Sequence, residues 1–273
     1  MSDTAATPVL LRPMGIGDIL DATFRMYKTH FVPFMVIALI AYVPYALYMM
    51  LVGMGSGAAE AVSPDNPFAA PTVSAGQEIA NVLGRLVFLV VVLPLVQAAL
   101  TFAISGAVLG EPVEAGSAFG RAKKCILPLL GTQFLVGIVV VIGFMLLIVP
   151  GVIFSLWFMV VAPVVILERL SGSTAMGRSR ELMRDNLGKG FLLALVLAII
   201  GWAITFGAAA IFAYLPLPAF IYQAILLIVE AIILPVQTAP LILLYYDLRV
   251  RKEAFDLERL AESVQGGPEV SMA

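Results

Sequence analysis

The sequence predicts an all-α integral membrane protein with six transmembrane helices. They form three hairpins, each preceded by an amphipathic elbow helix. Apolar residues make up 61% of the chain and charged residues only 12%, whereas soluble domains carry about a quarter charged residues. The run from Ile126 to Leu167 contains 42 residues without one charge. Lys and Arg gather at the ends of such runs, which indicates an ordered topology.

The uncharged run is too long for one transmembrane helix. At about 1.5 Å per residue it would reach about 63 Å, roughly two hydrocarbon cores. Pro150-Gly151 lies near its middle, where proline and glycine break a helix and allow a tight reversal. We therefore predict a hairpin that turns at Pro150-Gly151 and brings the basic residues at both ends of the run to one face of the membrane.

The segments outside the apolar runs are predicted to be a leader and three elbows. Residues 1–14 are a polar leader, predicted to be disordered. Residues 16–28 have apolar side chains at helical spacing, which predicts an amphipathic helix in the membrane interface. Residues 111–124 and 171–186 are the second and third elbows. The apolar face of the first elbow comprises Ile16, Ile19, Leu20, Phe24 and Tyr27.

The chain as a whole forms a single predicted transmembrane domain. A long loop without Lys or Arg is predicted at residues 53–81, and a charged tail at residues 247–273. The six spans are predicted at residues 31–52, 82–109, 126–149, 151–167, 191–214 and 219–246.

The charges predict the orientation. Of the 16 Lys and Arg residues, all but Arg85 fall in the leader, the elbows and the tail, with Arg169 and Lys189 counted at the two ends of the third elbow. Six spans place all of these segments on one side. The positive-inside rule makes that side cytoplasmic, with both termini inside. Tyr245 and Tyr246 are predicted to mark the cytoplasmic end of span six as part of an aromatic belt.

Several classes of function lack the residues that they require. Cys125 is the only cysteine and His30 the only histidine, so we expect no metal site and no cofactor. The chain has no Walker loop, no GxSxG and no HExxH motif. It has no basic patch with interleaved aromatic residues, so we expect no nucleic-acid partner.

Glu230 is the one charged residue between Phe191 and Tyr246, within the last two predicted spans. It lies about eleven residues into span six, and an ionised carboxylate at that depth costs about 2.5–3.5 kcal/mol. Arg85 lies in the outer half of span two, so we predict an Arg85–Glu230 pair. The predicted intramembrane polar site comprises Glu230, Arg85, Gln237, Gln97 and Gln133. Its role stays open between a proton- or substrate-linked site and interhelical contacts that fix packing.

The basic elbows have two interpretations as well. Anionic headgroups attract each Lys or Arg near the surface by about 1 kcal/mol, but topology alone also requires these charges. The predicted headgroup contacts are Arg25, Lys28, Arg121, Lys123, Lys124, Arg178, Arg180 and Arg184. Ala99, Ala103 and Ala107 form a stripe of small residues, which indicates close packing within the chain or, alternatively, a homo-oligomer or a membrane-protein partner.

Three segments resemble a known family. They are Leu11–Lys28 (LRPMGIGDILDATFRMYK), Pro163–Arg169 (PVVILER) and Leu244–Leu257 (LYYDLRVRKEAFDL). Together they resemble the bacterial glycerophosphoryl diester phosphodiesterase membrane-domain family. The resemblance implies a six-span protein of the bacterial cytoplasmic membrane. It implies no phosphodiesterase activity, because catalysis in the named enzymes belongs to a separate soluble barrel with acidic and histidine residues that have no counterpart here.

We therefore expect a non-enzymatic membrane module, such as a lipid-associated accessory protein, a scaffold or a complex subunit. The alternative is a small transporter or lipid-moving protein that uses the polar site around Glu230. A cavity that reaches Glu230 from one face would favour transport. An intramembrane enzyme is the least favoured class, because no nucleophile–base pair is visible in the sequence.

Overall fold

Ten α-helices and one short π-helical segment make up the regular structure of the computed structural model, which describes residues 13–55, 74–213, 215 and 218–253. No strand occurs in these residues. The elements are α1 (Ile16–Thr29), α2 (Phe31–Gly55), α3 (Ala75–Val87), the π-helical segment (Phe88–Val92), α4 (Leu93–Leu109), α5 (Ala115–Leu146), α6 (Ile148–Trp157), α7 (Val161–Leu167), α8 (Gly172–Met183), α9 (Leu187–Ala213) and α10 (Ala219–Glu253).

Six helical stretches in these residues are long and apolar enough to cross a membrane, which confirms the predicted fold class. The second consists of α3, the π-helical segment and α4, and the fourth of α6 and α7. The stretches are Phe31–Val52, Ala75–Leu109, Ala115–Leu146, Ile148–Leu167, Leu187–Phe212 and Ile221–Lys252.

Helices α4 and α10 form the centre of the bundle. Half of the most apolar window is buried in the α3–α4 stretch and in α10, against 11% in α5 and 17% in α9. Helix α10 packs most extensively against α2, and α4 against α5. Ala99, Ala103 and Ala107 are all buried in the main core, so this stripe of small residues packs within the chain.

The α5–α6 hairpin turns three residues earlier than predicted. Helix α5 ends at Leu146, Leu147 is extended with φ −164° and ψ 155°, and α6 begins at Ile148. The predicted turn at Pro150-Gly151 is therefore wrong. Both residues lie in the first turns of α6, where proline is tolerated because the first backbone N–H groups of a helix have no intrahelical acceptor.

The second elbow and the first loop also differ from the prediction. Residues 115–124 are the beginning of α5, a single helix of 32 residues, and not a separate elbow helix. Residues 75–81, predicted as loop, belong to α3, which begins behind Ser74. The Ser74 side chain accepts a hydrogen bond from the Gln77 N–H, and the Gln77 side chain accepts one from the Ser74 N–H in return, which is a capping box.

Residues 1–12, 56–73 and 254–273, which include most of the predicted leader, loop and tail, lie outside the described residues.

The buried face of α1 is rotated from the predicted apolar face. Ile19, Ala22, Thr23 and Met26 are buried, whereas Phe24 is 42% exposed. Helix α1 packs against α10, and Thr23 is accommodated there because its hydroxyl donates to the Ile19 carbonyl oxygen at 2.7 Å. Packing on protein, and not hydropathy alone, sets the orientation of this helix.

The end of α10 ties the bundle together. The Asp247 side chain is 0% exposed; it pairs with Lys189 at the beginning of α9 and with Arg251, and it accepts a hydrogen bond from the Met14 N–H at 2.6 Å. The Met14 carbonyl oxygen accepts from Lys189 and Arg251 in turn. Met14, predicted to be disordered, is therefore fixed, and α10 continues through the predicted beginning of the tail to Glu253.

Tyr245 and Tyr246 are core residues and not an aromatic belt. They are 0% and 4% exposed. The Tyr245 hydroxyl donates to Glu168 Oε1 at 2.9 Å, and the Tyr246 hydroxyl lies 2.5 Å from Ser105 Oγ. Both rings can be buried because each hydroxyl has a polar partner inside the protein.

Candidate functional site

Two neighbouring cavities lie along the seam where α4, α5 and α7 meet. The first, here called the basic cavity, has a volume of about 330 Å³, and the second, the amide cavity, about 170 Å³. The basic cavity is lined by Phe102, Arg121, Lys124, Cys125, Pro128, Val165, Ile166 and Arg169. The amide cavity is lined by Gln97, Thr101, Gln133, Phe158, Met159, Val161, Ala162, Pro163, Thr238, Leu241 and Ile242.

The basic cavity combines three cations with apolar walls. Its α5 residues are spaced i, i+3, i+4 and i+7 from Arg121 to Pro128, so they share one helix face. The Arg121 guanidinium carbon lies 4.2 Å from the centre of the Phe102 ring, a cation–π contact that orients the side chain over the cavity. The cavity therefore offers positive charge beside apolar surface, which is the chemistry of an amphiphilic anion.

The three cations lack acidic partners in the part of the chain that the structure describes. No ion pair joins Arg121, Lys124 or Arg169 to a carboxylate there. The neighbouring Glu168 does not line the cavity and has other partners: it accepts hydrogen bonds from Arg178 Nε at 3.0 Å and from the Tyr245 hydroxyl. The positive charge of the cavity is thus not neutralised from within this part of the chain.

Arg169 has an unusual backbone. Its φ is +56°, the one positive φ of a non-glycine residue among the described residues. The left-handed conformation costs a residue with a Cβ about 1–2 kcal/mol. Such conformations concentrate at functional sites, and this one places a third cation on the basic cavity.

The amide cavity contains neutral polar groups only. Gln133 Nε2 donates to Gln97 Oε1 at 3.2 Å across α5 and α4. The Thr101 hydroxyl donates to the Gln97 carbonyl oxygen at 2.7 Å and the Thr238 hydroxyl to the Leu234 carbonyl oxygen at 2.8 Å. No charged side chain lines this cavity. It is suited to an uncharged polar group and not to an ion.

The predicted intramembrane polar site is divided among three places. Gln97 and Gln133 meet in the amide cavity. Gln237 lies instead against α9, where its Nε2 would be 2.6 Å from a Cβ added at Gly201. Arg85, in α3, and Glu230, in α10, form the third place.

Arg85 and Glu230 lie within electrostatic range of each other and of Tyr45. Both are exposed on the surface of the chain. No ion pair within 4.0 Å joins them in the described residues. The two cavities of the seam do not reach Glu230, so neither supplies the path that the transport hypothesis requires.

The predicted headgroup contacts also separate into groups. Arg178 is half-buried and pairs with Glu168 and Glu181, and Arg180 stacks on the Trp157 ring at 4.3 Å. Arg121 and Lys124 line the basic cavity. The others line neither cavity, namely Arg25, Lys28, Lys123 and Arg184.

Arg169 is the site residue that sequence reasoning missed. Its charge was assigned to topology alone, and a left-handed backbone has no signal at a non-glycine residue. The face shared by Arg121, Lys124 and Cys125 could have been recognised from its helical spacing. The partner face on α7 could not, because it depends on how α7 packs against α5.

The described residues contain no cluster of metal ligands. No group of three or more His, Cys, Asp and Glu side chains there could hold a metal ion. His30 lies between α1 and α2, where partial burial lowers its pKa and so keeps the ring neutral at pH 7.

Comparison with family models, with curated proteins and with solved structures gives no match to this chain. The resemblance to the glycerophosphoryl diester phosphodiesterase membrane-domain family therefore stays a prediction.

Proposed function

We propose that this chain is a non-enzymatic membrane protein that binds anionic lipid headgroups in the basic cavity, on the cytoplasmic side of the membrane. The observation that carries the proposal is the set of three cations, Arg121, Lys124 and Arg169, that line one cavity without a carboxylate partner in the described residues. At the membrane surface each such cation is attracted to anionic headgroups by about 1 kcal/mol. The headgroup of an anionic lipid supplies the negative charge, and the apolar part of the same lipid matches the apolar walls.

The position of the cavity supports a lipid ligand. Lys124 and Cys125 directly precede the uncharged part of α5, and Arg169 directly follows α7 and Glu168. The cavity therefore lies where the membrane-spanning segments end, at the depth of headgroups. Exposed apolar residues of α5 next to it, such as Leu127 at 78%, fit a surface in contact with acyl chains.

Adjacent lysines provide a matched test. Lys123 and Lys124 are both exposed, but only Lys124 lines the basic cavity. For purified protein in detergent, we expect phosphatidylglycerol to bind more tightly than phosphatidylcholine of the same chains. Lys124→Gln and Arg121→Gln should each weaken phosphatidylglycerol binding about fivefold, since one cation near an anionic headgroup contributes about 1 kcal/mol. Lys123→Gln should leave it unchanged. Native mass spectrometry or a titration with labelled lipid measures the effect.

Two outcomes would overturn the proposal. Equal losses for Lys123→Gln and Lys124→Gln would mean that the charges act only as a diffuse surface field. Equal affinity for phosphatidylglycerol and phosphatidylcholine in the unchanged protein would mean that the cavity does not select anions. Cys125 provides an independent readout, because it also lines the cavity: phosphatidylglycerol, and not phosphatidylcholine, should slow its alkylation.

Transport or lipid movement is the second candidate function. One observation favours it: Glu230 and Arg85 are exposed and near each other without an ion pair within 4.0 Å. Glu230→Gln tests this candidate in cells that depend on the protein, with unfolding of the purified variant measured in parallel. Lost function with unchanged stability would favour transport; unchanged function would remove Glu230 from the mechanism.

A further inference from the structure

On α4 and α7 the basic cavity and the amide cavity lie within about one helical turn of each other. On α4, Phe102 lines the basic cavity and the adjacent Thr101 lines the amide cavity. On α7, Val165 and Ala162 are three residues apart, which corresponds to about 4.5 Å along the helix. On α4, α5 and α7 the residues that line the amide cavity lie further from the basic end of the helix than those that line the basic cavity. This order puts the amide cavity on the membrane side of the basic cavity.

The amide cavity has hydrogen-bonding capacity left over. Two glutamine side chains carry four N–H donors and two carbonyl acceptors, and a single bond, from Gln133 Nε2 to Gln97 Oε1, joins them. Gln97 Nε2 donates to no acceptor in the described part of the chain. Inside a membrane no bulk water satisfies such donors. A ligand that enters this cavity is therefore expected to bring a neutral acceptor, such as a carbonyl oxygen.

A glycerophospholipid carries the two complementary groups in this order. Its phosphate is followed, across the glycerol carbons, by acyl ester carbonyls that lie on the membrane side of the phosphate. A free phosphate has no carbonyl, and a fatty acid carries its charge on the carbonyl group itself. Ether-linked lipids keep the phosphate but lack the ester carbonyl.

We propose that the two cavities form one site for an ester-linked anionic glycerophospholipid. The phosphate lies among Arg121, Lys124 and Arg169, and an ester carbonyl accepts a hydrogen bond from the Gln97 amide. The acyl chains remain in the surrounding bilayer. This assignment rests on the proposed function, because it identifies the lipid class that the basic cavity holds.

The experiment compares diacyl phosphatidylglycerol with its diether analogue of equal chain length. For the purified protein in detergent, the ester lipid should bind about fivefold more tightly than the ether lipid, the effect of one hydrogen bond. The double variant Gln97→Leu/Gln133→Leu replaces both partners of the amide pair by apolar groups, which avoids leaving one of them unpaired. It should bind both lipids equally, with the affinity of the unchanged protein for the ether lipid.

Gln223→Leu is the matched control, since Gln223 is an exposed glutamine of α10 that lines neither cavity. It should keep the fivefold preference. Equal binding of ester and ether lipids by the unchanged protein would overturn this inference and leave the proposed function standing. Displacement of the lipid by millimolar inorganic phosphate would overturn it as well, because the site would then recognise only the phosphate group and not the ester carbonyl. If the unchanged protein did not bind phosphatidylglycerol at all, the proposed function itself would be contradicted.

Discussion

The backbone of Arg169 connects stability with ligand binding at the scale of a single residue. Its φ of +56° is compatible with glycine, so Arg169→Gly should relieve strain and stabilise the lipid-free protein by about 1 kcal/mol. The same change removes a cation from the basic cavity and should weaken phosphatidylglycerol binding about fivefold. Thermal unfolding in neutral detergent and a lipid titration measure the two effects.

Gly172 provides the control for this prediction. It is three residues away and has a φ of +59°, so Gly172→Ala should destabilise the protein by about 1 kcal/mol. A less stable Arg169→Gly variant, or one with unchanged lipid affinity, would contradict the prediction.

Asp247 is the residue on which we expect the fold to depend most. Its buried carboxylate pairs with Lys189, whose side chain is 15% exposed, and removing one partner of a buried pair typically costs about 3–5 kcal/mol. Asp247→Ala should therefore destabilise the protein by that amount in thermal or chemical unfolding. Asp247→Asn keeps an oxygen that can accept from the Met14 N–H, so it should be intermediate.

An exposed aspartate provides the comparison. Asp185 pairs with Lys252, but its side chain is 73% exposed, and exposed pairs contribute about 0–1 kcal/mol. Asp185→Ala should change stability by less than about 1 kcal/mol. Equal effects of the Asp247 and Asp185 substitutions would show that the Asp247 network does not hold α1, α9 and α10 together.

The residues that the sequence singled out and those that the fold uses most differ for a physical reason. Glu230 was conspicuous because it interrupts an apolar run. Asp247 and Glu168 directly follow predicted spans, where charges are expected, so nothing in the pattern separated them from solvated side chains. The Gln97–Gln133 bond illustrates the same limit: amide side chains in two spans predict an interhelical contact without specifying which amides meet.

At the scale of elements, the α5–α6 hairpin depends on two glycines that lie against each other. A Cβ at Gly143 would come within 3.0 Å of Gly151 Cα and 3.2 Å of its backbone nitrogen. Gly143→Ala should therefore separate the two helices and destabilise the protein by about 1–3 kcal/mol, as overpacking does. Gly137→Ala, on the same helix with nothing within 4 Å of its Cβ position, should be neutral or stabilising by up to about 1 kcal/mol.

Unfolding in detergent distinguishes the two variants. Similar stability for both would mean that α5 and α6 do not approach closely at Gly143. The need for a hairpin followed from length alone, because 42 uncharged residues cannot cross one bilayer as a single helix. The position of its turn did not, since a Pro-Gly pair is compatible both with a reversal and with the first turn of a new helix.

At the scale of the molecule, hydropathy was sufficient to predict the fold class but not to predict the cavities. Each span is apolar over a length that only a membrane helix uses, so six helical spans could be predicted without any knowledge of packing. The cavities depend on how α4, α5 and α7 are rotated about their axes, and spans that are apolar all round carry little periodic signal for that rotation. The basic cavity was visible in the sequence only as excess charge.

The arrangement of helices also brings charges from distant segments to one end of the bundle. Arg121 and Arg169 line the same cavity, Arg249 lies 4.0 Å from Glu168, and Lys189 meets Asp247. Ser74 and the beginning of α3 belong to the opposite end of the second span. The positive-inside rule then predicts that the first end faces the cytoplasm.

Single cysteines at matched glycines test this orientation. Gly76, Gly116 and Gly177 are exposed helical residues with nothing within 4 Å of a Cβ position, so each tolerates a cysteine in a Cys125→Ser background. A membrane-impermeant maleimide should label Gly76→Cys in intact cells, but Gly116→Cys and Gly177→Cys only after permeabilisation. If the labelling were reversed for all three variants, the orientation would be opposite to the predicted one and the fold would stand. Labelling of Gly116→Cys and Gly177→Cys from opposite sides would contradict the hairpin itself, because α5 to α7 must return the chain to the side from which it entered.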